Sequence, residues 1–107
     1  MPLIPFFLLL LLACNSAPKQ EYATARVTVY GLNDCGICSD TRDLLEEEGI
    51  PYTFVSVDKG ETDNRTAMQD LVRAAYPAGR IKMPVIVVND SVLIQPGIEE
   101  VVEVLKK

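Results

Sequence analysis

The chain has 107 residues, enough for one small domain and no second core. Its 49% hydrophobic and 23% charged residues make a globular composition, and a net charge of -5 with no basic stretch argues against nucleic acid as a partner. There is no histidine, which removes histidine-based catalysis and most zinc sites, and the three cysteines are an odd number for a disulfide framework.

Leu3 to Ala13 is almost wholly apolar. It is too short for a transmembrane helix of about 20 residues and fits the h-region of a secretory signal, about 7–15 residues. Leu11-Leu12-Ala13-Cys14 then resembles the lipobox of bacterial lipoproteins. That resemblance implies that Cys14 is diacylated and becomes the new N-terminus, so that acyl chains hold the domain at a membrane surface after export. Leu12 is bulkier than the usual occupant, and the n-region Met1-Pro2 carries no Lys or Arg. The alternative is an ordinary signal with a chance cysteine. Asn15 to about Thr24 is polar and aperiodic and reads as a tether. The expected division is a signal peptide at 1–13, a lipidated cysteine and tether at 14–24, and a folded domain at 25–107. The expected location is the bacterial cell envelope, facing the periplasm or exterior.

Arg26 to Tyr30 is the first predicted strand, and a helix follows from about Cys35 to Glu48 with Ile37, Leu44 and Leu45 as its inward stripe. Gly49 stops this helix as a left-handed cap. Tyr52 to Val57 alternates and is rich in β-branched and aromatic residues, which predicts a second strand. After the loop Asp58-Lys59-Gly60-Glu61, Thr62 or Asp63 is placed to cap a helix running to about Ala75, with Met68, Leu71, Val72 and Ala75 on one face. Val85 to Val88 reads as a third, buried strand. Asn89-Asp90-Ser91 turns it into a fourth, Val92 to Ile94. Pro96-Gly97 opens a last helix with Ile98, Val101, Val102 and Leu105 inward. The order β-α-β-α-β-β-α predicts an α/β domain. Its first two strands run parallel through a right-handed crossover, its last two are antiparallel, and a four-stranded mixed sheet lies between helices.

Cys35-Gly36-Ile37-Cys38 lies between the first strand and the helix that follows. Two thiols at this spacing can close a small disulfide reversibly, and the unpaired N–H groups of a helix start stabilise a thiolate on the first of them. A C-x-x-C pair beside a β-α-β pattern is the sequence form of a redox dithiol. Asp34, one residue earlier, opposes that stabilisation by its charge. No metal site is expected.

Three features together resemble the glutaredoxin family of the thioredoxin-like fold, over roughly Arg26 to Leu105. They are Tyr30-Gly31-Leu32-Asn33-Asp34-Cys35-Gly36-Ile37-Cys38, Lys82-Met83-Pro84, and Pro96-Gly97-Ile98-Glu99-Glu100. The resemblance implies a thiol-disulfide oxidoreductase in which Cys35 is the nucleophile and Cys38 resolves the mixed disulfide. It implies a cis peptide bond before Pro84, with the backbone of Met83 pairing with an extended substrate. Gly97 and Glu99 would lie at the substrate site, with Arg80 supplying positive charge. The family commonly has a lysine where this chain has Leu32, and a glycine where it has Pro96. No cofactor is required. Glutathione stands as a candidate reductant, and Leu32 and Pro96 argue against it as the obligate partner. The expected partners are a disulfide-containing protein or a low-molecular-weight thiol, and a recycling redox partner. Two other readings stay open: an iron–sulfur cluster module, which Gly36 permits, and a non-catalytic binding module.

Overall fold

A computed structural model describes residues 22–107. The expected signal peptide, Cys14 and most of the expected tether lie outside the described residues. In chain order the elements are β1 (Val27–Gly31), α1 (Gly36–Glu47), β2 (Thr53–Ser56), α2 (Thr62–Ala75), β3 (Val85–Val88), β4 (Ser91–Ile94) and α3 (Ile98–Leu105). Their order and type are those predicted, with ends differing by a residue or so. The strands form one sheet in the order β2-β1-β3-β4. β1 runs parallel to β2 and antiparallel to β3, and β3 runs antiparallel to β4.

Side chains alternate across this sheet, so each strand feeds two cores. Val27, Val29, Ile86, Val88 and Leu93 face Leu45 of α1 and Val101 of α3. Val85, with the partly buried Tyr30, Val92 and Ile94, faces Met68 and Val72 of α2. Both faces of the sheet are therefore covered, which is why the strands are nearly continuous apolar runs.

α1 ends as its sequence requires. Gly49 takes a φ of 71°, the Gly49 N–H donates to Glu46 O, and the Ile50 N–H donates to Leu45 O at 2.9 Å. This pair of bonds is a Schellman motif, and the contact expected with it is present because Ile50 and Leu45 share one core cluster. α2 departs from expectation at its start. Glu61 is its N-cap residue, with no side-chain capping bond, and Thr62 and Asp63 lie inside the helix.

Three packing expectations are corrected. Ile37 and Leu44 are 54% and 41% exposed, whereas Leu45 and Cys38 are fully buried. The buried face of α1 is thus rotated toward Cys38 and Leu45, because α3 stands beside α1 and leaves a groove over Ile37 and Leu44. On α2, Leu71 and Ala75 are exposed, and only Met68 and Val72 reach the sheet. The boundary between tether and domain also moves. Tyr22, placed in the tether by composition, is 4% exposed and packs in the core with Val27 and Leu45.

Candidate active site

The C-terminal end of β1 delivers the chain to the cysteine pair. Cys35 takes extended backbone angles (φ −147°, ψ 116°) and serves as the N-cap of α1. The Cys38 N–H donates to Cys35 Sγ at 3.3 Å. Cys35 is partly exposed and Cys38 fully buried, and both are free thiols. A thiol at an N-cap does what a serine does there: it accepts an orphan helix N–H, and it accepts better once it carries charge.

The two thiols are driven apart electrostatically. The bond from the Cys38 side chain, and then the Cys38 N–H, hold the Cys35 thiol below its ordinary pKa, with help from the Ile37 N–H. Loss of solvent and the Asp34 carboxylate work against this. Burial pushes the Cys38 thiol above its ordinary pKa, and its bond to Cys35 pushes the same way. The outer sulfur is thus the easier thiolate, and the inner one holds its proton.

Close packing fixes the inner sulfur. A Cβ at Gly31 would stand 3.0 Å from Cys38 Sγ and 3.1 Å from Phe54 Cε1. Glycine here is a requirement of approach rather than of backbone angle. Phe54 in turn lies under the Arg42 guanidinium, 4.3 Å from ring centroid to Cζ.

The loop carrying Cys35 is anchored to β2 and the residues after it. The Asn33 N–H donates to Asp58 Oδ1 at 3.2 Å, and the Asn33 side-chain amide donates to Asp58 Oδ2 and, at 3.1 Å, to Ser56 Oγ. The Ser56 hydroxyl donates to Asp58 Oδ2 at 2.9 Å. Bonds from Ser56 and then Asn33 hold the Asp58 carboxyl below its ordinary pKa. Arg65 reinforces the same corner, donating from Nε and Nη2 to Val57 O. This network was not foreseen. Asn33 and Asp58 are 25 positions apart in a sequence without a local pattern linking them. The parallel register, with Gly31 opposite Ser56, brings them together.

The Met83–Pro84 peptide bond is cis. Register places this segment beside the cysteines: Tyr30 is opposite Val85, so the chain before Val85 runs past Gly31, against which Cys38 packs. Pro84 O accepts from the Gln95 N–H at 2.8 Å, and Met83 O accepts from Gln95 Nε2 at 2.9 Å. Gln95 holds a φ of 45°, a left-handed conformation unusual for a side-chain-bearing residue. Its two bonds to the cis-proline segment keep it there. Sequence reasoning passed over Gln95; the Gln-Pro-Gly turn signal before α3 was the only hint.

Gly97 is the N-cap of α3, and Glu99 lies in its first turn with Oε2 close over Gly97. Gly97, Gln95 and Pro96 share one cavity with Ile37. The structure therefore gathers Cys35, Cys38, Met83, Pro84, Gly97 and Glu99 at one end of the sheet. Arg80 is exposed in the segment between α2 and the cis proline, and among the described residues no hydrogen bond or ion pair draws it to the cysteines. Leu32 packs with Met83 against the α2 core, so an apolar contact stands where a lysine would present charge. Among the described residues no group of three or more Cys, Asp or Glu is arranged to hold a metal ion.

Residues 27–93 match the family model for glutaredoxin. Among solved structures, the chain is similar to the glutaredoxin from Methanosarcina mazei Go1, at 28% identity and a TM-score of 0.62, over 77% of this chain and 79% of that one. It is similar to NrdH-redoxin, a glutaredoxin-like protein from Escherichia coli, at 25% identity and a TM-score of 0.51, over 64% of this chain and 80% of that one. The glutaredoxin from Archaeoglobus fulgidus shares the fold at 24% identity and a TM-score of 0.59, over 81% and 92% of the two chains. No curated protein matches the sequence. With the family model covering more than half of its length and its sheet and helices arranged in the same fold, the chain belongs to the glutaredoxin family of thioredoxin-like thiol-disulfide oxidoreductases.

Proposed function

We propose that Cys35 and Cys38 form a reversible dithiol couple that exchanges with disulfides in the cell envelope. The observation that carries this reading is the asymmetry of the pair. One sulfur is partly exposed, capped by a helix N–H and biased toward thiolate. The other is buried one turn behind it and biased toward thiol.

In the reducing direction the Cys35 thiolate attacks one sulfur of a substrate disulfide. The substrate S–S bond breaks, a Cys35–substrate disulfide forms, and the other substrate sulfur leaves as thiolate. Cys38 then loses its proton and attacks Cys35 Sγ. The Cys35–Cys38 bond forms, the second substrate thiolate leaves, and two electrons have passed to the substrate. A thiol or dithiol reductant must restore the pair. Run backwards, the same steps oxidise a substrate dithiol. Met83 pairs with the substrate backbone, and Gly97 and Glu99 border its path. NrdH-redoxin is a glutaredoxin-like protein with a thioredoxin-like activity profile. Leu32 supports a similar tendency here, away from glutathione. Diacylation of Cys14 tethers the domain at the membrane surface. Incorporation of labelled fatty acid that is lost in Cys14→Ser tests this part of the proposal, and labelling that persists in the variant overturns it.

The central test equilibrates the protein against graded thiol/disulfide buffers. The expected result is a reversible two-electron couple within the range of about −270 to −120 mV found for dithiol proteins. Cys35→Ser is expected to abolish exchange and Cys38→Ser to accumulate mixed disulfides. No measurable couple, or full activity in Cys35→Ser, overturns the reading.

A further inference from the structure

The seam between α1 and α3 has a floor and a rim of opposite character. Ile37, between the two cysteines, and Leu44, two turns on, are large apolar side chains left exposed. With Pro96, Ile98, Gln95 and Gly97 they border a cavity of about 280 Å³. Ile98 is shared with a second hollow of about 370 Å³ farther along the same helices, bordered by Glu48, Glu99 and Glu103, with Lys106 at its far end. Asp40 is exposed one turn from both Ile37 and Leu44, on the same side of α1. Glu99 borders the second hollow, and its Oε2 lies 3.1 Å from where a Cβ of Gly97 would stand, Gly97 itself bordering the first. The cation on α1, Arg42, stacks on Phe54.

We propose that this seam docks an extended polypeptide segment that carries an aliphatic side chain next to its reactive half-cystine and Lys or Arg residues flanking it. The proposal rests on the exchange reading of Cys35 and Cys38 and names the substrate class of that site. A half-cystine bonded to Cys35 brings its sequence neighbours across Ile37, where the apolar floor begins. An aliphatic side chain removes the floor from water, and the acidic rim complements cationic flanks. The same rim repels an anionic tripeptide such as glutathione. It also opposes a second copy of this chain, which would bring an identical acidic rim against it.

The test uses the full-length protein and three peptide disulfides of equal length. One has Leu beside Cys with Lys flanks, one has Leu with Glu flanks, and one has Ser with Lys flanks. Thiol release gives kcat/KM for each. The Leu peptide is expected to exceed the Ser peptide by about tenfold, the discrimination of one aliphatic side chain in a pocket. The Lys-flanked form is expected to exceed the Glu-flanked form by about threefold at low salt. That second preference should collapse between about 20 and about 500 mM salt, as screening shortens the reach of the rim. Ile37→Ser should erase the Leu preference, and Glu99→Gln should reduce the Lys preference without touching the Leu one. Equal rates for the three peptides overturn the proposal while leaving the exchange reading standing. So does a preference for glutathione disulfide over all of them, or a dimer that Leu44→Glu dissociates. Absence of thiol release from every disulfide, with no reversible couple, overturns the exchange reading itself.

Discussion

Asp34 stands one residue before the nucleophile and works against it. Its carboxylate raises the Cys35 pKa, while the Cys38 side chain and N–H lower it by more. The net effect keeps Cys35 below an ordinary thiol. The fraction of thiolate, and with it the alkylation rate, therefore rises at a lower pH than for a free cysteine. Asp34→Asn removes an opposing charge and should move the midpoint lower still, read from iodoacetamide alkylation of Cys35 against pH. An unchanged or higher midpoint would show that Asp34 does not face the sulfur. Sequence alone indicated the direction of the Asp34 effect. It did not indicate the larger effect of Cys38, because that depends on which sulfur the helix start presents to which N–H.

The helix that follows illustrates how periodicity reads a face only to within a turn. Ile37, Leu44 and Leu45 satisfy helical spacing equally well, yet only Leu45 is buried. Leu45→Ala should cost about 3 kcal/mol, the usual loss for a buried leucine. Ile37→Ser should change stability by no more than about 0.5 kcal/mol, as for other surface positions. Urea denaturation separates the two. A large loss at Ile37 would place it in the core after all.

The corner between β1 and β2 is held by a carboxylate whose charge ties the fold to pH. The Asp58 carboxyl lies below its unfolded-chain value because Ser56 and Asn33 donate to its charged form. A depressed carboxylate contributes stability above its unfolded pKa and loses that contribution as pH falls through the folded one. Asp58→Asn should therefore flatten the acid limb of the stability curve relative to the parent protein. It should also speed amide exchange in the Leu32–Asp34 loop. An acid limb as steep as the parent's would mean that Asp58 does not anchor the loop.

For the molecule as a whole, the domain begins earlier than its composition suggests. Tyr22 sits among polar residues but packs in the core formed by β1, α1, β3, β4 and α3. Tyr22→Ala is expected to destabilise the protein by about 3 kcal/mol, the lower end for loss of a buried aromatic side chain. A change near zero by thermal or urea unfolding would return Tyr22 to the tether. The result decides where the fold starts.

Much of this domain was legible in the order of its residues. Strand and helix periods, the Gly49 stop, the Asn89 turn and the C-x-x-C pair are local signals. Each arises from the backbone and side chains of a few neighbouring residues. What was not legible depends on contacts between distant segments. The Asn33–Asp58 anchor needs the parallel register of β1 with β2, and the Gln95 bond to Met83 needs β3 paired with β4. The exposure of Ile37 depends on how α3 lies beside α1, and the burial of Tyr22 on a core assembled from β1, α1, β3, β4 and α3. Short-range pattern sets which elements form, because hydrogen bonding and chain entropy act locally. Side-chain burial and cross-strand partnership follow only once register and packing have set which distant surfaces meet.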